Sequence, residues 1–137
     1  MNIRKEKITK SEEHVVTRIT SKSLKKIFDG KVRQETPCII KVYSQRCEYC
    51  KNLVSVFHQV AQEDQSNRHF FAFNIGDVDY DLDEFVKLKG VPSIIMVTPN
   101  IKQGDSNVRI LQEPSSPHRE TWYTIQDIKK FIDTHKE

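Results

Sequence analysis

The sequence predicts an α/β fold, a three-layer sandwich in which helices flank one central mixed sheet. Three observations predict it. Runs of β-branched and aromatic residues alternate with runs whose apolar residues recur at helical spacing, in the order β-α-β-α-β-α-β-β-α. The apolar run over residues 37–44 lacks polar alternation, as a central parallel strand covered on both faces does. The last two strand-like runs are separated by a short polar turn only, so they form an antiparallel hairpin rather than another crossover.

Taken in order, residues 1–13 are polar and charged and read as a flexible arm, and residues 14–137 as one domain. His-Val-Val-Thr-Arg-Ile-Thr at 14–20 alternates like a strand. Ser21 or Ser23 then starts a short helix carrying Leu24, Ile27 and Phe28, and Gly30 is placed to stop it. After the strand opened by Pro37, a helix over residues 51–62 sets Leu53, Val56, Phe57 and Val60 on one face. Phe-Phe-Ala-Phe-Asn-Ile at 70–75 is another buried strand. Asp81-x-x-Glu84 reads as a capping box opening a helix through Phe85, Val86 and Leu88, which Gly90 ends. A strand at 93–98, a turn around Gly104-Asp105 and a strand at 108–111 make the hairpin. A loop over 113–120 leads to a final amphipathic helix at 124–135, with Ile125, Ile128, Phe131 and Ile132 inward and Trp122-Tyr123 stapling it to the body.

Composition narrows the function classes. The net charge of +3 is a small, scattered excess of 22 basic over 19 acidic residues, which argues against a nucleic-acid partner. No apolar stretch reaches the length of a membrane span and no signal peptide follows Met1, so a soluble, intracellular protein without a membrane partner is expected. Three cysteines are too few, and odd in number, for a disulfide scaffold.

The chemistry is carried by Cys47 and Cys50, placed where the central strand gives way to the helix after it. A thiol in the first turn of a helix faces unpaired N–H groups and the positive end of the macrodipole, both of which favour thiolate. A second thiol three positions on lies on nearly the same face, close enough to close a small disulfide ring. The competing reading is half of a zinc site. Zinc wants four ligands, and Cys38, His14, His58, His69, His118 and His135 supply no second paired motif, so no metal is expected. Asp77 to Glu84 lacks the glycine and the distal glutamate of a calcium loop. Cys38 reads as a small core residue.

The element order, Cys47-Glu48-Tyr49-Cys50 at a strand-to-helix turn, and Gly90-Val91-Pro92-Ser93 before an apolar strand together resemble the thioredoxin superfamily over nearly the whole chain. That resemblance implies a thioredoxin-like sandwich, a cis Pro92 facing the dithiol, and a Val91 backbone that pairs with an extended substrate segment. It implies a protein-disulfide oxidoreductase in which Cys47 attacks a substrate disulfide and Cys50 resolves the mixed disulfide. The partners would be protein disulfides or dithiols, with a reductase or sulfhydryl oxidase as electron partner. No cofactor beyond the Cys47–Cys50 pair is implied.

Three departures from the pattern matter. Arg46 replaces the family's tryptophan, and Glu48-Tyr49 its Gly-Pro; Arg46 favours a Cys47 thiolate and Glu48 opposes it, so their sum is undecided. Lys41 stands where thioredoxins carry a buried acid. A charged Lys41 near the pair would stabilise thiolate and make a weaker reductant; alternatively it reaches solvent at the sheet edge and does nothing. The stretch from Val42-Tyr43-Ser44 to Tyr49-Cys50-Lys51 also resembles glutaredoxins, which makes Tyr43 and Tyr49 candidate substrate contacts and glutathione an alternative cofactor. A third possibility is a weakly catalytic binding module that keeps the groove beside Pro92.

Overall fold

The computed structural model describes residues 15–134. The expected arm, His14 and His135, the last residue of the expected final helix, lie outside the described residues. Within them the chain forms β1 (Thr17–Arg18), α1 (Ser21–Phe28), β2 (Cys38–Tyr43), α2 (Glu48–Glu63), β3 (His69–Asn74), β4 (Ser93–Asn100), β5 (Asp105–Ile110) and α3 (Ile125–Asp133). The sheet order is β1-β3-β2-β4-β5. β2 pairs parallel with β3 but antiparallel with β4, so the expected central parallel strand is parallel on one side only.

Period-two alternation along β2 separates the two halves of the core. Ile39 faces a cluster built with Leu53, Phe57 and Val60 of α2 and Ile128 and Ile132 of α3. Cys38, Ile40 and Val42 face the opposite cluster, with Leu24, Ile27 and Phe28 of α1. Leu53 and Phe57 are completely buried, and each such side chain contributes roughly 1.5–3 kcal/mol of transfer free energy. Lys41 is the one charged residue of this strand, on the face that carries Ile39.

The element ends follow local chemistry. Thr20 caps α1 through its side chain, which accepts from the Ser23 N–H at 3.0 Å. Gly30 stops α1 at φ 69°, and a Cβ there would meet the Asn100 carbonyl oxygen at 2.5 Å, so only glycine fits beneath the hairpin. The hairpin is longer than its sequence signal: β4 runs on to Asn100, β5 starts at Asp105, and Gly104 makes the turn at φ 71°. Thr124 and Asp127 cap α3 reciprocally, at 3.1 and 2.9 Å.

Two expectations are corrected. The first strand shrinks to two residues at the sheet edge, paired with Phe71 and Ala72. The helix expected from Asp81 is absent; residues 75–77 and 82–84 form single 3-10 turns instead. Asp81 does accept from the Asp83 N–H at 3.1 Å, but that caps one turn only. A segment this short is marginal as an isolated helix, and tertiary contacts decide its shape. Phe85 stacks on Phe28 at 4.6 Å and Val86 is buried, so the segment covers α1 without becoming helical.

Candidate functional site

β2 ends at Tyr43, and residues 44–46 lead to Cys47, the N-cap of α2. Cys47 Sγ accepts a hydrogen bond from the Cys50 N–H at 3.0 Å, which places sulfur among the unpaired donors of the first helical turn. The expected helix therefore starts three residues earlier than its apolar pattern, because the dithiol itself occupies the cap and first turn. Cys47 is half-buried and Cys50 buried. The two are joined as a disulfide with their Cα atoms 5.1 Å apart.

Across the sheet, Ser93 at the start of β4 pairs with Val42 near the end of β2. That register delivers Val91 and Pro92 to the sheet end where the dithiol sits, and the Val91–Pro92 bond is cis. Ser93 Oγ donates to the Gly90 carbonyl and ties down the turn before them. Pro92 is buried and Val91 half-buried. Within the described residues the Val91 amide and carbonyl make no backbone hydrogen bond.

The remaining sequence candidates separate into rim and floor. Arg46 and Glu48 are exposed, and Glu48 pairs with Lys51 at 3.7 Å rather than with Arg46. At such exposure the pair contributes little. Tyr43, at the end of β2, and Tyr49, between the two cysteines, are half-buried.

Lys41 is the floor, and its solvent-edge alternative is corrected. β2 is the middle strand of five and Lys41 is only 4% exposed. Its Nζ lies 5.6 Å from the ring centroids of both Tyr43 and Phe57, and no carboxylate pairs with it among the described residues. Burial pushes its pKa down from 10.5 to about 8. Lys41 and Cys50 line the same cavity of about 370 Å³. By contrast the third thiol, Cys38, is buried and held up at about 12 by desolvation, with its Sγ donating to the Thr36 carbonyl at 3.4 Å. It is a core residue. Among the described residues no three His, Cys, Asp or Glu side chains are grouped to hold a metal ion.

Trp122 was legible only as a staple. Its neighbour Tyr123 fills that role, buried with its hydroxyl donating to the Leu111 carbonyl at 3.3 Å. Trp122 itself adopts φ 74° and tilts against the Tyr49 ring at 5.1 Å, so it also borders the dithiol. Asn52 of α2 donates to the Glu120 carbonyl at 3.0 Å and fixes this loop to that helix. No local pattern connects residues so far apart in sequence.

A mixed sheet between helices, a C-x-x-C disulfide opening the helix after the second strand and a cis proline at the head of the antiparallel strand define a thioredoxin-fold protein. Residues 15–113 match the thioredoxin family, and the chain belongs to it. A Schizosaccharomyces pombe protein provisionally named a protein disulfide-isomerase is 26% identical over 97% of this chain. The chain spans about a quarter, 24%, of that relative's length. Among solved structures, the Trx4 domain of ERdj5 superposes with a TM-score of 0.64 at 13% identity, covering 87% of this chain and 93% of that one. Chloroplastic thioredoxin z gives 0.58 at 16% identity, covering 86% and 91%. Among the described residues no helix is long and apolar enough to cross a membrane.

Proposed function

We propose that the chain is a thiol-disulfide oxidoreductase acting on protein disulfides. The observation that carries this reading is the half-buried Cys47 at the N-cap of α2, its sulfur bonded to that of a buried Cys50 in the first turn. In the reduced form, the Cys47 thiolate attacks one sulfur of a substrate disulfide. The substrate S–S bond breaks, a mixed disulfide forms, and one substrate thiolate leaves. The Cys50 thiolate then attacks Cys47 Sγ, restoring the Cys47–Cys50 bond and expelling the second substrate thiolate. Two electrons pass to the substrate, and the reverse sequence oxidises a dithiol. The unbonded Val91 backbone beside Pro92 fits an extended substrate segment added as a short strand.

The redox-active group in this proposal is the cysteine pair alone, with a reductase or sulfhydryl oxidase closing the cycle in an intracellular compartment. Lys41, buried in the cavity that Cys50 lines, supplies a positive charge that favours the thiolate form and hence a weaker reductant. A binding module with slow turnover is the second reading, favoured by a cavity whose described lining holds no carboxylate to take the Cys50 proton.

Insulin reduction by dithiothreitol, followed by turbidity, tests the proposal. Acceleration that Cys47→Ser abolishes supports the enzyme; no acceleration by the wild type supports the module. Reduction of a glutathione mixed disulfide without activity on insulin supports the glutathione-linked alternative.

A further inference from the structure

We propose that the cavity beneath the dithiol binds a small amphipathic monocarboxylate, its carboxylate on Lys41 and its hydrocarbon body against Val54 and Phe57, and that the oxidised form binds it preferentially. The preference for one redox form rests on the dithiol couple proposed above; the site itself does not.

The first observation is an ammonium group without an anion. Lys41 is more than nine-tenths buried, lines the cavity, and has only the Tyr43 and Phe57 rings as described partners. A buried cation costs free energy until an opposite charge meets it. The second observation is the sign of the surroundings. Arg18 of β1 and Lys51 and His58 of α2 also line the cavity, and no acidic residue does so among the described residues. The third is the apolar wall. Val16, Val54, Phe57 and Ala72 line the same space, and Val54 is 53% exposed, unusual for a large aliphatic residue and placed at the cavity's rim. One buried positive charge in an apolar cavity suits a monoanion with a hydrocarbon body. A phosphate, with several charged oxygens and no apolar part, would leave the wall uncovered.

Redox selectivity follows from the shared cavity. In the disulfide form Cys50 carries no charge, so the anion for Lys41 must come from outside. After reduction, a Cys50 thiolate in the same cavity competes for Lys41. A ligand that binds one form better shifts the couple toward that form, so bound carboxylate would make the dithiol harder to form.

The test titrates octanoate into the full-length oxidised protein by calorimetry, with octylammonium as a probe of the same chain and opposite charge. The account expects saturable octanoate binding, none by octylammonium, and roughly tenfold weaker binding to Lys41→Met and to the dithiothreitol-reduced wild type. Val54→Asp, at an exposed position, should likewise weaken binding by adding a like charge at the rim. Absence of saturable octanoate binding, equal binding of octylammonium, or octanoate binding unchanged in both variants overturns the site. Equal binding to oxidised and reduced protein overturns the redox preference. Insulin reduction on the same preparations separates the two proposals: Cys47-dependent reduction without octanoate binding removes only this one, whereas Lys41-dependent binding without reduction removes only the enzyme.

Discussion

Lys41 sits on the middle strand of the sheet, over two aromatic rings, where a strand in a covered sheet ordinarily presents an aliphatic residue. Its folded pKa near 8 lies below its usual 10.5, so between those values the unfolded chain holds more protons and wild-type stability rises with pH. The cost of burying the charge is fully present below pH 8. Lys41→Met should therefore gain about 2 kcal/mol at pH 7, and the gain should fade toward pH 10.5. Urea unfolding of both proteins at pH 7 and pH 10 checks this, and an equal gain at both would contradict it. The opposite slopes expected from Cys38 and Tyr123, both pushed up to about 12, cancel in that difference. The same lysine bears on the redox couple. Lys41→Asp should lower the reduction potential by roughly 30 mV or more, because a negative floor destabilises the thiolate. A glutathione-equilibrated titration reads it; no shift, or a more oxidising variant, removes Lys41 from the account. Cys38 should stay silent to Ellman's reagent in the folded oxidised protein and react once the chain is unfolded.

At the scale of elements, long amphipathic patterns were legible and contact-dependent shapes were not. α2 and α3 follow from apolar spacing and caps written within a few residues of each other, and β2 from its apolar run. The segment 81–88 carries a capping signature and helical spacing, yet the packing of Phe85 on Phe28 outweighs a preference worth only tenths of a kcal/mol per residue. The edge strand β1 keeps only two residues, paired with β3. The same limit applies to the site. The dithiol and the Val-Pro pair are local motifs and could be read directly, whereas Trp122 reaches Tyr49 through a loop whose path depends on the His118–Trp122 bridge and the Asn52 hydrogen bond. Tyr49→Ala and Trp122→Ala should therefore be coupled. A double-mutant cycle in urea should give about 0.5–1.5 kcal/mol of interaction, and strictly additive losses would show that the rings do not support one another.

At the scale of the whole molecule, the sheet places a cap cysteine and a proline turn, separated widely in sequence, at one sheet end through the register of β2 with β4. Alternation along β2 then puts Lys41 on the face that carries Ile39, in the cavity that Cys50 also lines. The sequence carried the identity of these groups and the central place of the strand but not the burial of Lys41, since a lysine's long stem can carry its charge to solvent even from a covered strand. The central claim is that Cys47 is the attacking thiol and Cys50 the resolving one. The most direct measurement incubates reduced Cys50→Ser with insulin and maps the adduct by mass spectrometry without added reductant. The account predicts a stable mixed disulfide on Cys47, absent from a Cys47→Ser protein. No adduct, or one on Cys38 alone, would contradict it.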